Sequence, residues 1–96
     1  MAYRTIVVGN DGSVTAYRAQ HKATRIAKRV EARLVIVCAV SSPEVVQRGA
    51  KEIVAKARDV AGRHGVDASG LVRTGGAADA LVGVAAETSA DLIVVG

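Results

Sequence analysis

The sequence contains no phenylalanine and no tryptophan, and its tyrosines are Tyr3 and Tyr17 alone. Proteins that bind single-stranded nucleic acid stack bases on aromatic side chains, so the composition all but excludes that mode of binding. Hydrophobic residues make up 50% of the chain, and most of them are alanine or valine. The core must therefore be built from small aliphatic side chains at close backbone spacings.

Cysteine is nearly absent as well. Cys38 stands alone, so no disulfide can form within the chain, and with His21 and His64 it is too sparse for a structural zinc site. We predict no metal site and a reducing, cytoplasmic environment. No apolar run approaches the roughly 18 residues that cross a bilayer, and the first residues lack the pattern of a signal peptide. The sequence thus favours a soluble protein.

Four short apolar runs alternate with longer segments of helical periodicity. Three of the runs are nearly continuous and β-branched, which is typical of strands buried on both faces of a parallel sheet. Polar residues interrupt the third run, which indicates an edge strand. The apolar runs span residues 6–8, 34–40, 71–72 and 92–95, and the third lies within a mixed segment, residues 69–74.

The segments between the runs predict three helices, over residues 13–30, 42–64 and 77–88. Ser13 is the expected N-cap of the first helix, and Pro43 suits the first position of the second. Alternating strands and helices predict a doubly wound, Rossmann-like α/β domain with helices on both faces of a parallel sheet. With the third strand at one edge, the strand order is 3-2-1-4. At 96 residues the chain has room for a single domain.

The turn after the first strand is the first candidate site. Its glycines, Gly9 and Gly12, permit close approach of a ligand to the backbone, and Asp11 can accept hydrogen bonds from ribose hydroxyls. The alternative is a turn of purely structural meaning, since glycine and aspartate are common before a capped helix. The segment matches neither G-x-G-x-x-G nor a P-loop.

The end of the fourth strand is the second candidate site, because the strand order places it beside the first strand. Ligands in open α/β sheets bind at such a switch point. Val95 would offer an apolar wall to a purine, and Gly96 would open a second loop over the same pocket. Asp91, at the other end of the strand, is expected to begin the strand or cap a neighbouring helix, away from the pocket.

Three segments together resemble the universal stress protein family: IVVGNDGS at the start, RTGGAADALVGVAAE after the third strand, and SADLIVVG at the end. The resemblance implies an adenine nucleotide, ATP or cyclic AMP, bound across the switch point with or without Mg²⁺. Carried over by position, it implies that the nucleotide contacts Gly9 and Asp11, Ala39 near the end of the second strand, and Val95 with Gly96.

Nucleotide-binding members of that family continue with a G-x-x-G loop and a G-S or G-T pair that hold the phosphates, whereas Gly96 is the first glycine of that motif. We therefore expect residues 1–96 to be a domain that is incomplete at its C-terminal end. Each missing charge-assisted hydrogen bond is worth roughly 1.5–3 kcal/mol. ATP binding by this chain is expected to be weakened or lost.

The resulting hypothesis is a stress-response regulatory domain that binds an adenine nucleotide and is no fast enzyme, with no catalytic residue assigned. One alternative is a family member that binds no nucleotide and acts through protein contacts. A weaker one is an enzyme of the wider adenine-nucleotide α-hydrolase-like group. The wholly apolar fourth strand predicts a homodimer or self-association through that edge. The net charge of +4 fits a polyanion, but the cations of the first helix are spread around it, so nucleic acid is an unfavoured partner.

Overall fold

The computed structural model describes residues 4–42 and 47–96, without the side chains of residues 47 and 48. Strands and helices alternate along the described chain as predicted. Their order is β1 (Thr5–Gly9), α1 (Val14–Val30), β2 (Arg33–Val40), α2 (Gln47–Arg63), β3 (Ala68–Thr74), α3 (Ala77–Thr88) and β4 (Leu92–Val94). The predictions that concern Tyr3 and Pro43 fall outside the described residues.

The strands form one parallel sheet in the order β3-β2-β1-β4, which confirms the predicted topology. The chain moves from β1 through β2 to β3 and then crosses back to β4 on the other side of β1. Val8 of β1 lies opposite Val94 of β4 in the ladder. The switch point therefore falls between these two strands, at the edge of the sheet where their carboxyl ends meet.

Helices cover both faces of the sheet, also as predicted. Helices α1 and α2 pack on one face, and α3 packs on the other. Small side chains on the helices let them lie close to the branched residues of the strands. The first face buries Ile6, Val8, Leu34 and Ile36 against Ala19, Ala23, Ala27, Ala57 and Ala61, and the second buries Val7, Val35 and Val37 against Ala80 and Val84.

Strand β4 is shorter than the predicted strand, because the residues on either side of Leu92–Val94 are not paired with β1 in the ladder. Asp91 precedes the ladder, and its Oδ2 accepts hydrogen bonds from the backbone N–H groups of Arg4 at 2.8 Å and Thr5 at 3.0 Å. The carboxylate thus caps the start of strand β1, and not a neighbouring helix, because the first amides of β1 lie beside the start of β4. Val95 and Gly96 lie beyond the ladder, at the switch point. No helix in the described part of the chain is long and apolar enough to span a membrane.

The Asp91 cap makes stability depend on pH. Hydrogen bonds from the Arg4 and Thr5 amides lower the pKa of Asp91 below its ordinary value. A lowered folded-state pKa stabilises the fold fully at pH values above the unfolded pKa, and this stability is lost as the pH falls through the folded pKa. Asp91→Asn removes the titrating charge, so we expect lower stability than wild type at neutral pH and a weaker loss of stability on acidification.

Urea unfolding at neutral and at acidic pH measures this dependence. Glu52→Gln is the matched control, because Glu52 is an exposed acid on α2. We expect the control to keep the acid dependence of the wild type. Equal acid sensitivity of the Asp91→Asn variant and the wild type would contradict the role given to this cap.

Candidate functional site

A short loop, residues 10–13, connects β1 to α1 and is held by hydrogen bonds to its own side chains. The Asn10 backbone N–H donates to the Val37 carbonyl at 2.9 Å. The Gly12 N–H donates to Asn10 Oδ1 at 2.8 Å, and the Ser13 N–H donates to Asp11 Oδ1 at 2.9 Å. Gly12 has a φ of 90°, which disfavours any residue with a side chain. The loop therefore has one defined conformation built from Asn, Asp and Gly.

Asp11 presents an ionised carboxylate at the start of α1. The side chain is exposed, and hydrogen bonds from the hydroxyl and the backbone N–H of Ser13 lower the pKa of Asp11. Ser13 is the N-cap of α1, and its Oγ accepts from the Ala16 N–H at 3.1 Å. The predicted cap is confirmed. The arrangement leaves a negatively charged acceptor fixed in direction and open to solvent.

A cavity of about 520 Å³ opens beside this loop, at the carboxyl ends of the strands and between the starts of α1 and α3. All five residues singled out from the sequence line it. These are Gly9 at the end of β1, Asp11 in the loop that follows, Ala39 in β2, and Val95 with Gly96 after β4. Gly96 lies close to α1, where an added Cβ would be 3.2 Å from Thr15 Cγ2. The structure thus brings the two candidate segments to one opening.

This cavity differs from the other depressions of the described surface in the residues that line it and not in its volume. A depression of about 590 Å³ lies at the opposite end of the sheet, where its lining includes Arg58, Asp59 and Arg63. The cavity at the switch point has an apolar wall that includes Val37, Leu81 and Val95, with polar groups of the β1–α1 loop along one side. Apolar walls with a few directed polar groups are typical of small-molecule sites.

Several lining residues were not predicted from the sequence. Asn10 and Gly75 were not among the candidate residues singled out from the sequence, yet both line the cavity. The start of α3 contributes further through Ala77, Ala78 and Leu81. Their position follows from the crossover, because α3 leaves the carboxyl end of β3 and passes over the face opposite α1 to reach β4. That path was available from the predicted strand order.

The remaining reactive side chains do not belong to this cavity. His21 and His64 are exposed and lie edge to face, with ring centroids 6.2 Å apart. Cys38 is a buried free cysteine, and burial, with a smaller effect from the charge of Asp11, raises the pKa of its thiol. In residues 4–42 and 47–96 no three His, Cys, Asp or Glu side chains come together as metal ligands. The site therefore offers hydrogen bonding, charge and an apolar wall.

Comparison with known proteins gives a consistent result at the level of sequence and of fold. A family model described as the universal stress protein family matches residues 2–96. A search of curated proteins finds no match.

Solved structures resemble the chain closely. A universal stress protein solved in complex with cAMP is 37% identical over 97% of this chain and 72% of its own, with a TM-score of 0.87. Protein Rv1636 from Mycobacterium tuberculosis H37Rv is 37% identical over 100% of this chain and 72% of its own, with a TM-score of 0.83. A family protein from Burkholderia pseudomallei is 29% identical over 98% of this chain and 81% of its own, with a TM-score of 0.87.

Proposed function

The chain belongs to the universal stress protein family, and on that premise we propose that it binds an adenine nucleotide, ATP or cyclic AMP, in the cavity beside Asp11. The observation that carries the proposal is the meeting of Gly9, Asp11, Ala39, Val95 and Gly96, from three separate strands and their following loops, around one opening. A 37% identical relative was solved in complex with cAMP, which supports the same class of ligand.

Each part of the nucleotide has a matching group in this proposal. The adenine ring lies against the apolar side chains of Ala39 and Val95. The ribose hydroxyls donate to the exposed carboxylate of Asp11, because a charged acceptor forms stronger hydrogen bonds than a neutral one. Gly9 and Gly96 leave the backbone accessible on either side of the ring. The start of α3 closes the cavity from the other face of the sheet.

Phosphate recognition is the weaker part of the site in these 96 residues. The cavity lining holds one acidic side chain, Asp11, and no lysine or arginine among the described residues. Mg²⁺ in nucleotide sites is held by one or two carboxylates together with the phosphates. Asp11 is the one lining residue that fits such a role, so Mg²⁺ would enter with a triphosphate and not by itself.

Isothermal titration of the 96-residue polypeptide with adenosine, AMP, cyclic AMP and ATP tests the proposal. We expect saturable binding of one adenine ligand per chain. We expect the affinities of the four ligands to lie within about tenfold of one another, because few groups that could donate hydrogen bonds to phosphate line the cavity. GMP serves as the control and should bind more weakly. Absence of saturable binding by every adenine ligand would refute the proposed function.

We further propose that the domain acts as a regulatory binding module in the stress response and turns over ATP slowly or not at all. The described cavity lining holds no histidine, and its one carboxylate, Asp11, is bonded to the ribose in the proposed complex, which leaves no general base for an attacking water. The cytoplasmic location inferred from the sequence stays a prediction.

Protein contacts through β4 form a second candidate function. β4 is an edge strand in which Ile93 is 37% exposed, and Val95, directly after it, is 69% exposed. Apolar edges of this kind pair readily with another chain. We therefore propose self-association through this edge, which sedimentation equilibrium tests, and a monomer at all concentrations is the contrary result.

A further inference from the structure

Two side-chain amides lie almost fully buried among the aliphatic residues of the core. Gln20, on the inner face of α1, is 1% exposed, and Asn10, at the end of β1, is 2% exposed. Asn10 Nδ2 donates to Gln20 Oε1 at 2.6 Å. Gln20 Nε2 in turn donates to the Ala57 carbonyl of α2 at 2.7 Å. Among the described residues every fully buried side-chain nitrogen and oxygen has a partner.

This pair fixes the direction of the Asn10 amide. With Nδ2 held by Gln20, Asn10 Oδ1 points to the Gly12 N–H, which is the bond that closes the loop. Without Gln20 the amide would lose its buried acceptor, and the side chain could turn away from Gly12. Buried amides left without partners are unstable, so a change at Gln20 is transmitted to Asn10.

These hydrogen bonds fix the position of the β1–α1 loop relative to both α1 and α2. Gln20 anchors Asn10 to α1 through its own backbone and to α2 through Ala57. Asp11 follows Asn10 directly, and its position is set by the turn between Asn10 and Ser13. Asn10 lines the cavity, whereas Gln20 lies behind it and touches no part of the opening.

We propose that Gln20 is a positioning residue for nucleotide binding, because through Asn10 it holds the β1–α1 loop and the Asp11 carboxylate in the binding geometry. This inference rests on the proposed function. Gln20 makes no contact with the nucleotide. A preformed loop lowers the ordering cost of binding, so loss of the anchor weakens binding although every contacting residue remains.

Gln20→Met tests the inference, because methionine keeps the length and the apolar volume of the side chain but neither hydrogen bond. We expect the dissociation constant for AMP to rise about tenfold, as loss of a buried hydrogen-bond network at a site commonly gives. We also expect faster amide hydrogen exchange at Gly12 and Ser13. Asn10→Ala should have the same two effects, and the double variant should be no worse than either single one, since both break one chain of contacts.

Thr24→Ala is the matched control. Thr24 is 3% exposed on α1, and its hydroxyl donates to the Gln20 backbone carbonyl without touching the loop. We expect it to lower stability while its AMP affinity and Gly12 exchange stay as in the wild type. A merely structural role for Gln20 would make the two variants alike.

The outcomes separate the two proposals. Wild-type affinity for AMP in the Gln20→Met variant overturns the positioning role and leaves the proposed function standing. Failure of the wild type to bind overturns the proposed function and with it the positioning role. If Gln20→Met does not fold, Gln20→Leu takes its place, because leucine also removes both hydrogen bonds and keeps an apolar side chain of similar size.

Discussion

The Asp11→Ala variant is expected to bind AMP about 100-fold more weakly than the wild type, equivalent to about 2.7 kcal/mol. The Asp11 carboxylate is exposed and ionised at the mouth of the cavity, and hydrogen bonds from Ser13 lower its pKa. In the proposed complex it accepts hydrogen bonds from ribose hydroxyls. Alanine removes both the charge and the acceptor. Isothermal titration gives the two dissociation constants.

Asp11→Asn and Asp59→Ala complete this experiment. Asparagine keeps one acceptor but no charge, so its affinity should fall between those of the wild type and the alanine variant. Asp59 is an exposed acid on α2, away from the cavity, and its replacement should leave binding unchanged. If Asp59→Ala lost as much affinity as Asp11→Ala, the effect of Asp11 would come from the net charge of the protein and not from a contact with the ribose.

The Gly70→Ala variant is expected to lose about 2–3 kcal/mol of stability, with a fall in Tm of about 10 °C or more. Gly70 lies in β3, directly under α2. A Cβ at this position would be 2.7 Å from Val54 Cβ and 3.2 Å from the Val54 carbonyl oxygen. The helix backbone cannot move away without opening the contact between α2 and the sheet. Thermal and urea unfolding measure the effect.

Gly62→Ala is the matched control for crowding at Gly70. Gly62 lies within α2, and an added Cβ there meets nothing within 4 Å. Alanine is a better helix former than glycine, so this variant should gain about 0.5–1 kcal/mol. Opposite signs for the same chemical change are the expected result. A neutral or stabilising Gly70→Ala would show that β3 and α2 are not in close contact.

The topology was predictable because its determinants are local and repeated. Continuous β-branched runs indicate buried parallel strands, and the polar third run indicated which strand lies at the edge. The right-handed crossover rule then leaves few arrangements. The five candidate residues followed from the strand order together with the family resemblance, and each lies where the prediction placed it, in the lining of one cavity. Their binding role is the part that still requires a ligand experiment.

The buried polar network could not be derived from the sequence. Gln20 sits in a helical segment where a polar residue is ordinarily assigned to the solvent face, and its burial depends on two partners 10 and 37 residues away along the chain. Tertiary contacts of this kind leave no periodic signal. The contribution of α3 to the cavity is different. The predicted strand order already places the start of α3 beside the cavity, but the sequence analysis did not draw that consequence. The need for glycine at position 70 likewise follows from the short distance to Val54 in the structure, and the neighbouring residues in the sequence do not indicate it.

Mapping of backbone amide chemical shifts during an AMP titration tests most directly whether the cavity at the switch point is the nucleotide site. We predict that the shifts concentrate in the β1–α1 loop, at Ala39, at the start of α3 and at Val95 and Gly96, with saturation at one ligand per chain. Shifts confined to the depression around Arg58 and Arg63, or no shifts at saturating AMP, would contradict it.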